Sequence, residues 1–297
     1  MTNTAAAAML APEFDAAFYR SRHRDLAGFS DDALRSHYER YGRLEGRQAS
    51  PLADTAALIE ALRRLSPALE IGPFDRPQLS GPGVHYLDVI DTAALKARAD
   101  LLGRIAEAVP EIDYVVPEGD LSAIAERFAL VFSSHAIEHQ PDLVRHLQQV
   151  EALLAPNGVY ALVIPDCRYC FDHFIAPSTV ASALQAHEEQ RTRHTLASVV
   201  EHRALTTHND AKLHWQGDHG NPHADPDRVR AAMEEWASQA GYLDVHAWQF
   251  TPASFREVIS VLCALGLTGL SVLRIYDTRH GTFEFGAILS ANSVSQA

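Results

Sequence analysis

Cysteine is scarce in this chain, with three in 297 residues. Three thiols make no disulfide framework. Cys167 and Cys170 form a lone C-x-x-C without the second pair of ligands that structural zinc requires. All three read as reduced thiols of a cytosolic protein. Basic residues are the next shortage: 25 Lys and Arg stand against 38 Asp and Glu, a formal net charge of −13. No Lys/Arg patch stands out, which argues against a nucleic-acid partner. Long apolar runs are missing too. The longest uncharged stretch, Val258 to Leu273, is too short for a membrane span and is broken by Gly266, Thr268 and Gly269. It reads as helix, turn and strand. The first ten residues have no basic start and only a short apolar stretch, so no signal peptide is expected and the default location is the cytoplasm. There is no Gly-x-Gly-x-x-Gly, which excludes a dinucleotide fingerprint. Internal repeats and long low-complexity tracts are also lacking.

What is present suits a globular protein with a sizeable core: 47% of residues are hydrophobic and 21% charged. Short apolar runs end in polar or turn residues at α/β spacing. They are Ala68-Leu-Glu-Ile-Gly-Pro-Phe-Asp75, Tyr86-Leu-Asp-Val-Ile-Asp91, Glu118-Gly-Asp120, Phe128-Ala-Leu-Val-Phe-Ser-Ser-His-Ala-Ile-Glu-His139, and Leu154-Ala-Pro-Asn-Gly-Val-Tyr-Ala-Leu-Val-Ile-Pro-Asp166. Alternation of strand and helix predicts a parallel, Rossmann-like doubly wound α/β sheet. Ligands of such sheets bind outside the carboxyl ends of the strands. Thr251 as N-cap and Pro252 open a helix. Residues 270–276 and 282–289 then predict a closing antiparallel hairpin. The organisation expected is a helical module with linker over residues 1–50, and a main domain over 51–297 with a lid insertion at about 166–245. In the module, Ser30 reads as a helix N-cap and Gly42 as a C-terminal stop.

The order of these signals resembles class I S-adenosylmethionine-dependent methyltransferases over roughly residues 55–290. The resemblance implies that Glu70 and Gly72 form the turn near the methionine part of the cofactor, that Asp88 takes the ribose hydroxyls, and that Asp120 lies near the adenine. The run from Ser133 to His139 looks like that family's fourth-strand motif, which adds Ser133 to the cofactor set. The turn at residues 153–158 leads into strand five. The family's first turn usually holds two or three glycines. Here Pro73, Phe74 and Asp75 follow Gly72, and proline removes an N–H donor. The N-terminal stretch resembles a short helical module of bacterial surface-polysaccharide proteins through Phe18, Tyr19, His37, Tyr38, Gly42, Glu45, Gly46 and Arg47.

Methyl transfer to an alcohol needs proximity, orientation and a base or metal. Candidates at the ends of strands four and five are His135, Asp166, Asp172 and His173 as catalytic groups. Asp172 and His173 read equally well as a capped helix start. Arg168, Tyr169, His214 and His219 are candidates for the acceptor site. The segment Asp166-Cys-Arg-Tyr-Cys-Phe-Asp-His173 resembles one in methyltransferases of polysaccharide clusters. The lid is rich in histidine, but the spacing matches no standard ligand motif, so no metal ligand is assigned. Sugar O-methyltransferases sometimes use a divalent metal, which keeps one conceivable here. His246, among apolar neighbours, faces either a pocket or solvent. These resemblances imply S-adenosylmethionine as cofactor and a small-molecule or glycan hydroxyl as acceptor. The alternative is a non-catalytic scaffold that kept the fold.

Overall fold

The computed structural model describes residues 10–117 and 119–291. Glu118 and most of the segment read for a signal peptide therefore lie outside the described residues. Seven strands form one sheet in the order β3-β2-β1-β4-β5-β7-β6. They are β1 (Ala68–Ile71), β2 (Val84–Asp88), β3 (Tyr114–Val115), β4 (Phe128–Ser134), β5 (Leu154–Pro165), β6 (Leu270–Tyr276) and β7 (Glu284–Ala291). β1 to β5 are parallel, while β7 runs antiparallel to both β5 and β6. The doubly wound sheet with its closing antiparallel pair is therefore the expected architecture. β1 is buried along its whole length and β5 from Gly158 inward is nearly so. Strands covered on both faces read as continuous apolar runs, which is why they were legible.

Helices sit on each face. Thr55–Leu62 (α3) packs Leu58, Ile59 and Leu62 against Leu130, Phe132 and Val163. On the other face Leu143–Leu153 (α5) and Pro252–Ala264 (α10) bury Leu147, Val150, Phe255 and Ile259. In α5 the apolar residues 143, 144, 147 and 150 fall on one helical stripe, and Asp142 caps the start by accepting from Arg145 N at 3.0 Å. Thr251 and Ser254 form a capping box at the start of α10. Thr92–Leu101 (α4) follows β2 and is capped by Asp91.

The N-terminal helices Ala16–Arg22 (α1) and Asp31–His37 (α2) close a small core of Phe14, Tyr19, Leu26, Leu34, Tyr38 and Ala49. Ser30 caps α2 through Ala33 N. Gly42 corrects its reading as a helix stop. It lies inside a continuing helical turn, and a Cβ there would come within 2.3 Å of Tyr19 Oη. The glycine makes room for a tyrosine, and the left-handed position is Gly46, at φ 64°. The module grips the β6–β7 turn. Tyr38 Oη donates to Asp277 at 2.5 Å, Arg43 pairs with the same carboxylate at 3.1 Å, and His280 N donates to Gly46 O at 2.9 Å.

Between β5 and α10 lie Val180–Glu188 (α6), Leu196–Ala204 (α7), Ala211–Trp215 (α8) and Pro226–Ser238 (α9). Val199, Ala232, Leu243 and Val245 give this insertion its own small core. Arg203 bridges α7 to α9 through both oxygens of Glu235, at 2.9 and 3.0 Å. Among the described residues no helix is long and apolar enough to cross a membrane.

Candidate functional site

Strand order reverses on either side of β1 and β4, the position where open parallel sheets leave a crevice. Gly72 turns the chain out of β1 at φ 69°, and its N–H is taken by Leu87 O at 2.9 Å. Phe74 follows, also left-handed at φ 43°. Arg98 and Arg104 lie over its ring, and Arg104 pairs with buried Asp75 at 2.9 Å. Glu70 ties down the far end of the loop, accepting from Gln78 N at 2.9 Å and Leu79 N at 2.8 Å. Burial dominates these bonds and pushes its carboxyl up to about 7. Glu70 thus shapes the loop from inside the fold.

That shift has a sign that can be checked. Between the unfolded carboxyl range and pH 7 the unfolded chain ionises Glu70 while the folded chain keeps it protonated. Stability from this group is full below about pH 4.5 and is lost as pH rises towards 7, by roughly 2–3 kcal/mol. Buried His146 and His194, held down at about 4 by desolvation, tilt the curve the other way. The measurement is therefore the difference between wild type and Glu70→Gln in urea unfolding across this window. A flat difference curve would refute the assignment.

Asp88 ends β2, and both its hydrogen bonds, from Val89 N at 2.7 Å and Ile90 N at 3.5 Å, fall on Oδ1. Burial raises its pKa. Asp120 caps the short turn Leu121–Ala123 and accepts from Gln149 at 2.8 Å. Ser133 is buried, with its hydroxyl 2.9 Å from Tyr160 Oη, whose other neighbour is His146 Nε2 at 3.0 Å. Its side chain therefore belongs to a core network beneath the crevice.

His135 follows β4 with φ 51°, a conformation that costs a non-glycine residue and is found where function holds it. His135 N donates to Val163 O at 3.0 Å. Nε2 meets Glu284 Oε2 at 3.0 Å, and Nδ1 lies 3.8 Å from Glu138. Burial alone would lower its pKa, but the two carboxylates raise it on balance. Glu284 also accepts from Thr55 Oγ1 at 2.6 Å, and with His135 this keeps it ionised despite burial. Glu284 and Phe283 line an open groove of ≈ 610 Å³ whose other wall is formed by residues 208–212.

The acids after β5 are differently placed. Asp166 is fully buried, accepts from Arg168 Nε and Nη2 at 2.9 and 2.5 Å, and takes Thr278 Oγ1 at 2.6 Å. Arg168 is thereby turned onto its own loop. Asp172 is buried and holds His246 Nδ1 at 2.6 Å, and no helix starts there. His246 lies in a segment without regular structure outside the sheet, buried. Tyr169 stacks on Trp215 at 3.8 Å, and Trp215 Nε1 donates to Thr282 O at 2.8 Å. His173 stacks on His219 at 3.7 Å, and His219 meets His214 at 3.0 Å. Tyr169, His173, His214 and His219 are thus brought together in the lid, near the groove wall. Asp166, Asp172 and Ser133 are held in the interior. Cys167 and Cys170 are buried, which pushes both thiols well up and leaves them unreactive.

Two acids escaped the sequence reading. Glu284 interrupts Phe283 and Phe285, and a lone acid in an apolar strand was the available signal. Glu138 stands between His135 and His139, beside a motif already noticed.

No protein-family model matches the chain, and no curated protein matches its sequence. A complex of DhpI with SAH is 15% identical with a TM-score of 0.40, covering 94% of this chain and 96% of that one. The CcbJ methyltransferase from Streptomyces caelestis is 12% identical at 0.41, covering 80% and 93%. An S-adenosylmethionine-dependent methyltransferase from Clostridium acetobutylicum is 8% identical at 0.41, covering 88% and 99%. At these values the ground for the fold remains the strand order itself.

Proposed function

We propose that this chain is an S-adenosylmethionine-dependent methyltransferase that acts on a hydroxyl of a sugar or related small molecule. One observation carries the reading. Glu284, paired with the left-handed His135 that follows β4 and set opposite Pro165 at the carboxyl end of β5, lines an open groove. The residues of the crevice fit the cofactor. Among the described residues nothing hydrogen-bonds to Asp88 Oδ2, which suits a ribose hydroxyl, and Gly72 keeps the first turn bare of side chain.

The cofactor supplies a methyl already activated on sulfonium, so the protein's part is placement and proton removal. Glu284 reaches the groove and is the group positioned to accept the acceptor's proton. His135 and Thr55 orient it. Gly72 and Asp88 would hold the cofactor, which would supply the methyl, and Glu284 would take the proton that the acceptor hydroxyl gives up. The stacked aromatics and imidazoles of the lid suit the apolar face of a sugar ring. The polysaccharide setting rests on the N-terminal module and the segment after β5.

Calorimetric titration with S-adenosylmethionine and S-adenosylhomocysteine tests the first half. Asp88→Ala is expected to weaken both by about tenfold or more, the loss of a charge-assisted hydrogen-bond site. A folded wild type that binds neither would leave a non-catalytic scaffold. Parallel titration with NAD(P)H separates methyl transfer from nucleotide-dependent sugar chemistry.

A further inference from the structure

Glu138 is fully buried, and neither of its carboxylate oxygens has a hydrogen-bond partner. A native fold leaves a buried carboxylate bare only at great cost, so such groups are paired or coordinate a cation. Its neighbours are imidazoles. His135 Nδ1 lies 3.8 Å from Oε1 but is engaged through Nε2 with Glu284; His246 Nε2 lies 3.9 Å and His139 Nε2 4.0 Å from the same oxygen. These gaps are too long for hydrogen bonds. They suit donors that share one ion. Atoms about 2.1 Å from a tetrahedral metal stand roughly 3.4 Å apart, so each side chain needs to move in by only a few tenths of an ångström.

An acid stands at the far nitrogen of each histidine, as a hydrogen bond at His246 and as an ion-pair contact without hydrogen-bond alignment at His139. His246 Nδ1 stands 2.6 Å from Asp172 Oδ2, and His139 Nδ1 stands 3.1 Å from Asp244 Oδ1. Asp244 is itself fixed by Arg98 at 2.6 Å. A proton kept on His246 Nδ1 by Asp172 turns its Nε2 lone pair towards Glu138, the arrangement in which carboxylates orient metal-bound histidines. Lone pairs facing a carboxylate repel it, and a cation between them removes the conflict. The two rings meet edge to face at 89°, and the three donor atoms lie within 4.8 Å of one another.

We propose that Glu138, His139 and His246 bind one first-row divalent cation, with Asp172 and Asp244 holding the two imidazoles. Two nitrogens and one oxygen suit Zn²⁺ and Co²⁺, whereas Mg²⁺ and Ca²⁺ take oxygen ligands. His139 is partly exposed, which leaves a side for a fourth ligand. The ion joins the segment after β4 to the lid, where Ala247 N already donates to Glu138 O at 2.7 Å. His173, His214 and His219 form a poorer set. The rings of His173 and His219 stack within 6° of parallel, so their in-plane lone pairs do not converge, and His214 and His219 already satisfy each other.

The test uses the full chain without a histidine tag, its metal content measured by mass spectrometry and then titrated with Zn²⁺ and Co²⁺. Wild type is expected to hold about one equivalent, to give a visible Co²⁺ spectrum, and to melt lower after chelation. Glu138→Gln and His246→Ala lose the equivalent and the spectrum. The double variant His214→Ala, His219→Ala keeps both. If Glu138→Gln does not fold, His246→Ala carries the comparison. Three results overturn the proposal: no binding by folded wild type, binding that survives both Glu138→Gln and His246→Ala, or binding lost in the His214, His219 variant.

Discussion

Glu284→Gln is expected to lower kcat by about 10²–10⁴-fold on an accepted hydroxyl, with cofactor affinity within about twofold of wild type. The amide keeps the size of the side chain and can still accept from Thr55, so β7 and its pairing with β5 are undisturbed. What disappears is the proton acceptor facing the groove. His135→Gln should cost less, because it leaves the carboxylate in place and removes only its orienting partner. The split separates the proton-accepting group from the group behind it. S-adenosylhomocysteine release, followed with acceptor saturating, measures kcat, and calorimetry measures affinity. A Glu284→Gln enzyme within twofold of wild type would end the assignment.

Asp166→Ala carries the largest expected loss of stability, about 3–5 kcal/mol. Its carboxylate, itself at zero exposure, takes the Arg168 backbone N–H, two guanidinium nitrogens and the Thr278 hydroxyl. Removing it leaves a half-buried guanidinium without its partner. It also loosens the β6–β7 turn, which loses the Thr278 bond and keeps, at residue 166, only the backbone bond from N to Phe283 O at 2.7 Å. Thr278→Val should cost about 1 kcal/mol, the worth of one hydrogen bond. Urea unfolding of the two variants checks both figures. An Asp166→Ala chain as stable as wild type would show that the cluster contributes nothing net.

The fold was legible because its central strands are covered on both faces and so run largely apolar, as residues 158–165 of β5 show. Asp88 and His135 were legible because a polar residue closing an apolar run is a local signal. Glu284 was not, since its place depends on pairing with Pro165, an antiparallel register set over more than a hundred residues. The same distance misled the reading of Asp166. A strand-end acid looks catalytic until Thr278 is seen to fold back on it. Gly42 looked like a stop because the tyrosine that demands it lies on another helix. His246 sits in a segment without regular structure, so no periodicity could aim it at Asp172.

The grip of the first helices on Asp277 and His280 makes the leading fifty residues a rein on the chemistry. The turn they hold runs straight into Glu284, so the position of the proposed proton acceptor is set partly by these first helices. Clipping the chain at the linker would slacken that turn as well as shorten the protein.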